Sequence, residues 1–166
     1  MRKLIFGLSF CFLSLSLFSQ ELKSEVSTYY LIRHAEKEIS DNPDPDLTDV
    51  GIARAENWAR IFKNVKFDAI YSTDYKRTKA TVEPTAFNQN LKILWYHPSQ
   101  IDIKQFLKET EGKTVLIVGH SNTIPSFVNH LIGQNKYGDI EDSNNANLYI
   151  VEISNTSITD KLLYIK

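Results

Sequence analysis

The amino-acid sequence predicts an α/β protein, a three-layer α/β/α sandwich with a mostly parallel central sheet. Strand-like and helix-like segments alternate along the chain, which is the pattern of strands joined by helical crossovers. One strand, over residues 114–119, is almost wholly apolar, as expected for a central strand that is buried on both faces. The 166 residues, 42% of them hydrophobic, suit a single domain with a packed core.

Six strands are predicted from short runs of apolar and β-branched residues. They cover residues 28–33, 67–72, 91–96, 114–119, 147–153 and 158–165. Asn155 and Thr156 favour a turn, so the last two strands are predicted to form a hairpin.

Four helices are predicted between these strands. The first follows Thr48 as its N-cap and reaches Phe62, and the others cover residues 74–87, 100–110 and 124–132. Within the second helix, Pro84 predicts a kink or an end. Ser99 is the expected N-cap of the third helix, and Gly133 is expected to end the fourth.

The N-terminal residues 1–20 are predicted to be a secretory signal peptide, with residues 21–166 forming the domain. Arg2 and Lys3 precede an apolar run that is short for a membrane span. Cleavage would also remove Cys11, the only cysteine, and leave no disulfide and no thiolate ligand. A periplasmic or secreted location is therefore expected, and the alternative is an uncleaved N-terminal anchor.

The charge balance excludes some classes of partner. The formal net charge is −1, and no large basic block interrupts the chain. Neither nucleic acid nor a membrane surface is therefore expected to bind this protein.

Arginine and histidine residues follow three of the predicted strands. Arg33 and His34 come at the end of the first strand, Arg77 lies just past the second, and His120 follows the fourth. Ligands of open α/β sheets bind at the carboxyl ends of strands, so these side chains are expected to share one site. Guanidinium groups match phosphoryl oxygens in geometry and in charge. The sequence therefore predicts a site for a phosphoryl group.

The same segments carry a family resemblance. The runs Arg-His-Ala at 33–35, Tyr-Ser-Thr-x-x-x-Arg at 71–77 and Gly-His-Ser at 119–121 resemble, in order and spacing, motifs of the histidine phosphatase superfamily, the phosphoglycerate mutase-like proteins. The resemblance runs from about Tyr29 to the C-terminus. In size the chain is similar to the small members that dephosphorylate phosphohistidine in signalling domains.

The resemblance implies a role for each of these residues. His34 would be the nucleophile and form a phosphohistidine, with its other ring nitrogen held as N–H by a backbone carbonyl. Arg33 and Arg77 would clamp the phosphoryl oxygens. His120 would donate to the same oxygens, and the bound anion would raise the pKa of its ring. The backbone at Asn122 would add to phosphate binding.

The general acid has no clear motif. Many relatives supply a glutamate after the second arginine, and none appears between residues 87 and 103. Glu36 and Asp102 are the candidates, and a nitrogen or low-pKa leaving group would tolerate the absence of an acid. His97 and His130 lack the motif context and are expected to be structural or exposed.

These observations predict an exported phosphatase that hydrolyses phosphomonoesters or phosphoramidates and needs neither a metal nor another cofactor. Its substrate would be a phosphorylated small molecule or a phosphoprotein. The alternatives are a non-catalytic module that binds phosphate or a phosphoprotein, and a mutase-type phosphotransferase. A metal site on His34, His120 and Glu36 ranks last, because the neighbouring arginines would repel a cation.

Overall fold

The computed structural model of the chain describes residues 26–166. The predicted signal peptide over residues 1–20, including Cys11, lies outside the described residues. Within residues 26–166, no helix is both long enough and apolar enough to cross a bilayer.

The described chain alternates between strands and helices, as predicted. The strands are β1 (Ser27–Arg33), β2 (Ala69–Ser72), β3 (Ile93–Trp95), β4 (Thr114–Gly119), β5 (Asn147–Ile153) and β6 (Ile158–Tyr164). The helices are α1 (Asp49–Ile61), α2 (Lys76–Gln89), α3 (Ile103–Glu109) and α4 (Thr123–Ile132), and a short 3₁₀ turn (Phe62–Asn64) follows α1.

The six strands form one mixed sheet in the order β3-β2-β4-β1-β5-β6. The first four strands along the chain pair in parallel, whereas β5 pairs with β1 and with β6 in the antiparallel sense. Ile153 is opposite Ile158, which confirms the predicted hairpin. The predicted fold class is therefore confirmed, with β1, the strand that leads to His34, near the centre of the sheet.

Alternate residues of the central strands face two separate hydrophobic cores, as the period of two in a β-strand requires. Leu31 and Ile117 pack with α3 and α4 on one face of the sheet. Ile32 and Val118 pack with α1 and α2 on the other. All four side chains are completely buried. Helices on both faces of the sheet give the three layers and hold the ends of β1 and β4 in fixed positions.

The helix ends agree with the sequence in part. The Thr48 side chain accepts a hydrogen bond from the Gly51 amide, as an N-cap does, and Gly133 ends α4 with φ of 66°. Pro84 was expected to kink or end the second helix. It does not end α2, because the helix continues to Gln89. A proline removes only one amide donor, and the buried face of α2 on both sides of it packs against the sheet.

The start of the third helix was also predicted wrongly. Asp102, and not Ser99, caps α3, and its carboxylate accepts hydrogen bonds from the amides of Lys104 and Gln105. The amides of Gln100 and Ile101, which follow Ser99, donate to the carbonyl oxygen of His97. They form a separate turn before the helix.

The loop after β1 folds back against the start of α1. The Thr48 amide donates to the Glu36 carbonyl oxygen at 3.0 Å, and Lys37 pairs with Leu47 in an isolated bridge. A Cβ atom at Gly51 would lie 2.1 Å from that same carbonyl oxygen, so only glycine fits there. This contact brings the polar segment over residues 38–46 back beside α2, where Asp44 meets Arg77.

Candidate active site

One cavity of about 790 Å³ lies at the carboxyl ends of the parallel strands. Five of the residues predicted for the site line it: Arg33, His34, Arg77, His120 and Asn122. They come from the segments that follow β1, β2 and β4, which the sheet order places side by side. The predicted convergence is thus present in the structure, whereas the catalytic roles of these residues stay predictions.

The ring of His34 has a defined tautomer. Its Nδ1 lies 2.7 Å from the carbonyl oxygen of Ala35, and because a carbonyl only accepts, Nδ1 must carry the hydrogen. The neutral ring therefore presents the lone pair of Nε2. Burial lowers the pKa of His34 to about 3, and the charge of Arg33 acts in the same direction. His34 is thus neutral across the physiological range.

The ring of His120 faces that of His34, with 5.5 Å between the ring centroids. Its Nδ1 accepts from Arg77 at 3.5 Å, so its Nε2 donates to the Thr73 hydroxyl at 3.0 Å. The Thr73 hydroxyl in turn donates to that of Thr78. This chain of buried hydroxyl groups holds the plane of the His120 ring.

Burial and two neighbouring cations act on the pKa of His120. Burial and the charges of Arg77 and Arg33 lower this pKa to about 4 in the ligand-free protein. The predicted rise concerns the protein with a phosphoryl anion bound and stays a prediction, because the anion favours the protonated ring whereas the two cations oppose it. Binding of a phosphoryl dianion would therefore raise the pKa of His120, against the lowering by the two arginines.

Arg77 is held among three side chains. Its guanidinium lies 3.4 Å from the carboxylate of Asp44, 3.5 Å from Nδ1 of His120 and 4.3 Å above the Tyr75 ring. Its Nε is buried and has no hydrogen-bond partner among the described residues. Its neighbour Lys76 points away and pairs with Asp46 at the surface.

Arg33 has a second set of contacts that the sequence did not predict. Its Nη1 donates to the backbone carbonyls of Glu141, Asp142 and Asn144 at 2.9–3.1 Å. Nη2 lies 3.4 Å from the Asp142 carboxylate, and Nε is buried without a partner within residues 26–166. Unpaired buried donors are uncommon, and a bound ion or a catalytic role is a usual explanation. Arg33 therefore fixes the loop before β5 as well as lining the cavity.

The same loop also contacts the backbone of His34. The side-chain amide of Asn145, which is buried, donates to the His34 carbonyl oxygen at 2.8 Å. The His34 amide donates to the Gly119 carbonyl oxygen at 2.9 Å. Both backbone groups of His34 are thus satisfied by distant segments, which fixes its position.

Close packing also explains the glycine before His120. A Cβ atom at Gly119 would lie 2.7 Å from the Tyr96 hydroxyl and 2.8 Å from the Thr123 hydroxyl. Asn122 stands at the N-terminus of α4 on the cavity wall and makes no capping bond with its side chain.

Neither acid predicted from the sequence lines the cavity. The carboxylate of Glu36 accepts from Arg54 at 2.7–2.9 Å. Burial raises the pKa of Glu36, but the hydrogen bonds and charge of Arg54 outweigh this, so the pKa is lowered. Asp102 faces the amides at the start of α3. Both carboxylates thus have structural contacts away from His34.

The alternative metal site gains no support from this geometry. Glu36 is bound to Arg54 and cannot join His34 and His120 as a ligand set. In residues 26–166, no group of three His, Cys, Asp or Glu side chains has the arrangement to hold a metal ion.

Several residues of the cavity were missed by the sequence reasoning. Thr73 and Tyr75 contact His120, and Asp44 contacts Arg77. His97, expected to be structural or exposed, is exposed but stands on the cavity wall. The position of His97 two residues after β3 was the available signal, because the other histidines of the site also follow strands. His130 lies outside this cavity.

Comparison with known proteins agrees with this architecture. The family model of the histidine phosphatase superfamily (branch 1) matches residues 29–96. No curated protein matches the sequence.

Similar solved structures share the fold over nearly their whole length. A mycobacterial glucosyl-3-phosphoglycerate phosphatase is 14% identical with a TM-score of 0.65, covering 84% of this chain and 98% of that one. A phosphoglycerate mutase from Bacillus anthracis is 15% identical with a TM-score of 0.63, covering 84% and 93%. A candidate phosphohistidine phosphatase, SixA from Agrobacterium tumefaciens, is 19% identical with a TM-score of 0.59, covering 82% and 97%.

At these identities the structural likeness shows a shared fold, and the family match covers the segment that holds Arg33, His34 and Arg77. Over residues 29–96 the chain is similar to the histidine phosphatase superfamily, and it shares the fold of the phosphatases and the mutase named above.

Proposed function

We propose that this protein is an exported phosphatase that hydrolyses phosphomonoesters, or phosphoramidates, through a phosphohistidine on His34 and without a metal ion. The observation that carries the proposal is the state of the His34 ring. Its Nδ1–H is bound to the Ala35 carbonyl, and its low pKa leaves Nε2 as a free lone pair beside His120 and Arg77. A neutral imidazole is a nucleophile, whereas a protonated one is not.

The reaction would proceed in two displacements. Nε2 of His34 attacks phosphorus, and the bond from phosphorus to the leaving group breaks with its electron pair. Arg33 and Arg77 offset the charge on the phosphoryl oxygens. Nε2 of His120 stays bound to Thr73, and Nδ1, which faces Arg77 in the free site, gains a proton when the dianion binds and donates it in a hydrogen bond to a phosphoryl oxygen. Water then attacks phosphorus, the N–P bond breaks, and the electron pair returns to His34.

The surroundings support a covalent nucleophile held in one position. The ring of His34 gains a positive charge as the N–P bond forms, and the Ala35 carbonyl stabilises that charge through the Nδ1–H bond. Thr73 holds the ring of His120 opposite, so neither histidine must reorient during the reaction. These contacts reduce the entropy that must be lost in reaching the transition state.

The range of substrates follows from the cavity. Beyond the phosphoryl site, its wall is formed by exposed aromatic side chains, Tyr75 and Trp95, and by the exposed Lys37. Two proteins of similar fold are named for their substrates, glucosyl-3-phosphoglycerate and, for the SixA candidate, phosphohistidine. We assign to this chain the shared chemistry, a phosphoryl group on a small molecule or on a protein side chain.

Trapping of the intermediate tests the mechanism. Wild-type protein mixed with ³²P-labelled substrate and quenched in alkali should retain base-stable, acid-labile phosphate on His34, which peptide mass spectrometry would locate. His34→Ala should retain none and should lose turnover. His130→Ala, which changes an exposed histidine outside the cavity, should behave as wild type. Turnover by His34→Ala at the wild-type rate would refute the proposal.

Inhibition tests the metal-free oxyanion site. Vanadate and inorganic phosphate should compete with substrate, because each places oxygens among the same donors. Preincubation with EDTA should leave kcat unchanged, and restoration of activity by a divalent cation after EDTA would contradict the proposal.

Export rests on the N-terminal sequence alone. Arg2 and Lys3 followed by the apolar run have the pattern of a cleaved leader. Mass analysis of protein from its native host should find a mature N-terminus near residues 19–21. Recovery of the full-length chain from the cytoplasm would refute export and leave the catalytic proposal unaffected.

A further inference from the structure

The release of an alcohol from a phosphomonoester needs a proton donor. As the P–O bond breaks, its electron pair stays on oxygen, and an alkoxide is a poor leaving group unless it is protonated in the same step. Glu36 is held by Arg54, and Asp102 caps α3, so neither reaches the cavity.

The two aspartates on the cavity wall are poorly suited to this role. Asp74 pairs with Lys79 at 2.9 Å and its side chain is 77% exposed. Asp142 faces Arg33 at 3.4 Å and its side chain is fully exposed. Each carboxylate is thus already paired with a cationic side chain and extends into solvent.

Among the imidazole and carboxyl groups on the wall, His97 is the one that remains. It follows β3, and its carbonyl accepts from the amides of Gln100 and Ile101, which fixes the turn. The Ser99 hydroxyl lies 3.0 Å from Nδ1 of the ring. With Nδ1 paired to Ser99, Nε2 is the nitrogen available to a ligand.

A hydrogen bond also connects the segment before this turn to the strand that leads to His120. The Tyr96 hydroxyl donates to the Val118 carbonyl at the end of β4, two residues before His120. Neighbouring strands are spaced about 4.8 Å apart, so the ends of β3 and β4, separated by β2, are roughly 10 Å apart. In the sheet order, β2 and β4 lie between β3, which precedes His97, and β1, which precedes His34, and all three histidines line the same cavity. A leaving group in line with attack by His34 would lie on the side of the phosphoryl site away from His34, which is the side of His97.

We infer that His97 is the proton donor to the leaving group, an assignment that rests on the proposed phosphatase function. In the first displacement, the protonated ring of His97 gives the proton of Nε2 to the leaving oxygen as the P–O bond breaks, and the ring becomes neutral. In the second, the ring takes a proton from the water that attacks phosphorus, while the N–P bond breaks and its electron pair returns to His34. The sum is one ester and one water converted to one alcohol and one phosphate. The substrates assigned are therefore phosphate esters of alcohols.

Two substrates that differ in the leaving group test this inference. p-Nitrophenyl phosphate releases a stable phenolate and needs little protonation, whereas glycerol phosphate releases an alkoxide. His97→Ala should lower kcat for glycerol phosphate by about 100-fold or more and change that for p-nitrophenyl phosphate by less than about 3-fold. Added imidazole should restore part of the lost rate with glycerol phosphate.

The matched control is His130→Ala, which removes an exposed histidine whose Nδ1 is bound to the Ser126 carbonyl. It should leave both rates unchanged. Equal losses with the two substrates in His97→Ala, or no loss with either, would overturn the assignment of His97. If wild-type protein hydrolysed neither substrate, the proposed function itself would fail, and the assignment with it.

Discussion

Nδ1 of His34 lies 2.7 Å from the carbonyl oxygen of Ala35, the residue that follows it. This local bond sets which ring nitrogen carries the hydrogen without help from a distant carboxylate. The adjacent position of donor and acceptor means that the tautomer is defined as soon as the end of β1 is formed. Distant residues then control the depth of burial and the charge around the ring.

Acid should destabilise this protein through its two buried histidines. The pKa values of His34 and His120 are lowered to about 3 and about 4 from 6.5, so between these values the unfolded chain binds more protons than the folded one. The free energy of unfolding therefore rises with pH through this window and is lost as the pH falls. When the pH falls from 7 to 5, each histidine should lower the free energy of unfolding by about 1–2 kcal/mol.

Urea denaturation of wild type and of His120→Gln at the two pH values measures this effect. The variant should lose less stability than wild type between pH 7 and pH 5. His130→Gln should show the wild-type loss, and identical losses in all three proteins would contradict the lowered pKa values.

The Arg77 side chain should contribute far more to catalysis than its neighbour. Arg77→Ala should lower kcat/KM by about two to three orders of magnitude, as expected for the loss of one donor to the transition state, and should weaken inhibition by vanadate. Arg77→Lys should recover part of the rate, since a point charge cannot make two parallel hydrogen bonds.

Lys76→Ala is the matched control, because Lys76 is exposed and paired with Asp46. Steady-state kinetics should find it close to wild type. An equal loss in Lys76→Ala and Arg77→Ala would mean that general positive charge, and not a specific contact, governs binding.

The amide of Asn145 should stabilise the segment that carries His34. Asn145→Ala leaves the buried His34 carbonyl without this donor and should lower the free energy of unfolding by about 1–3 kcal/mol. Thermal denaturation would measure the loss. Asn155→Ala, in the exposed turn between β5 and β6, should have little effect, and similar values for the two would argue against the buried bond.

The contact between Gly51 and Glu36 should tolerate no side chain. Gly51→Ala places a methyl group 2.1 Å from a backbone oxygen and must displace α1 from the loop after β1. We expect a loss of about 1–3 kcal/mol or more in stability, as for overpacking of a core. Gly138→Ala, where a Cβ would meet open space, is the control. Equal stability of the two variants in urea would refute the close contact.

Much of the sheet could be predicted because its signals are local. The bounds of β4 and β5 agree with the apolar runs at 114–119 and 147–153. The edge strand β3 is shorter than the predicted 91–96, since it pairs with β2 alone. Local signals also misplaced the start of α3, where Ser99 and Asp102 are both good caps and only tertiary packing selects between them.

The cavity was predictable where its residues follow strands and unpredictable where they come from loops. Arg33, His34 and His120 are placed by the sheet itself. Asp44 reaches Arg77 only because the loop after β1 folds back, and Asn145 reaches His34 across more than a hundred residues of chain. No pattern within the sequence records such long-range contacts.

The position of β1 between β4 and β5 has a consequence for biosynthesis. His34 is translated early, but the neighbours that complete its strand, and the carbonyls that bind Arg33, come from the last part of the chain. A nascent polypeptide therefore has no complete cavity around Arg33 and His34 until translation is almost finished, because β5 and the loop before it are synthesised last. The cavity is thus assembled only once nearly the whole chain is available to fold.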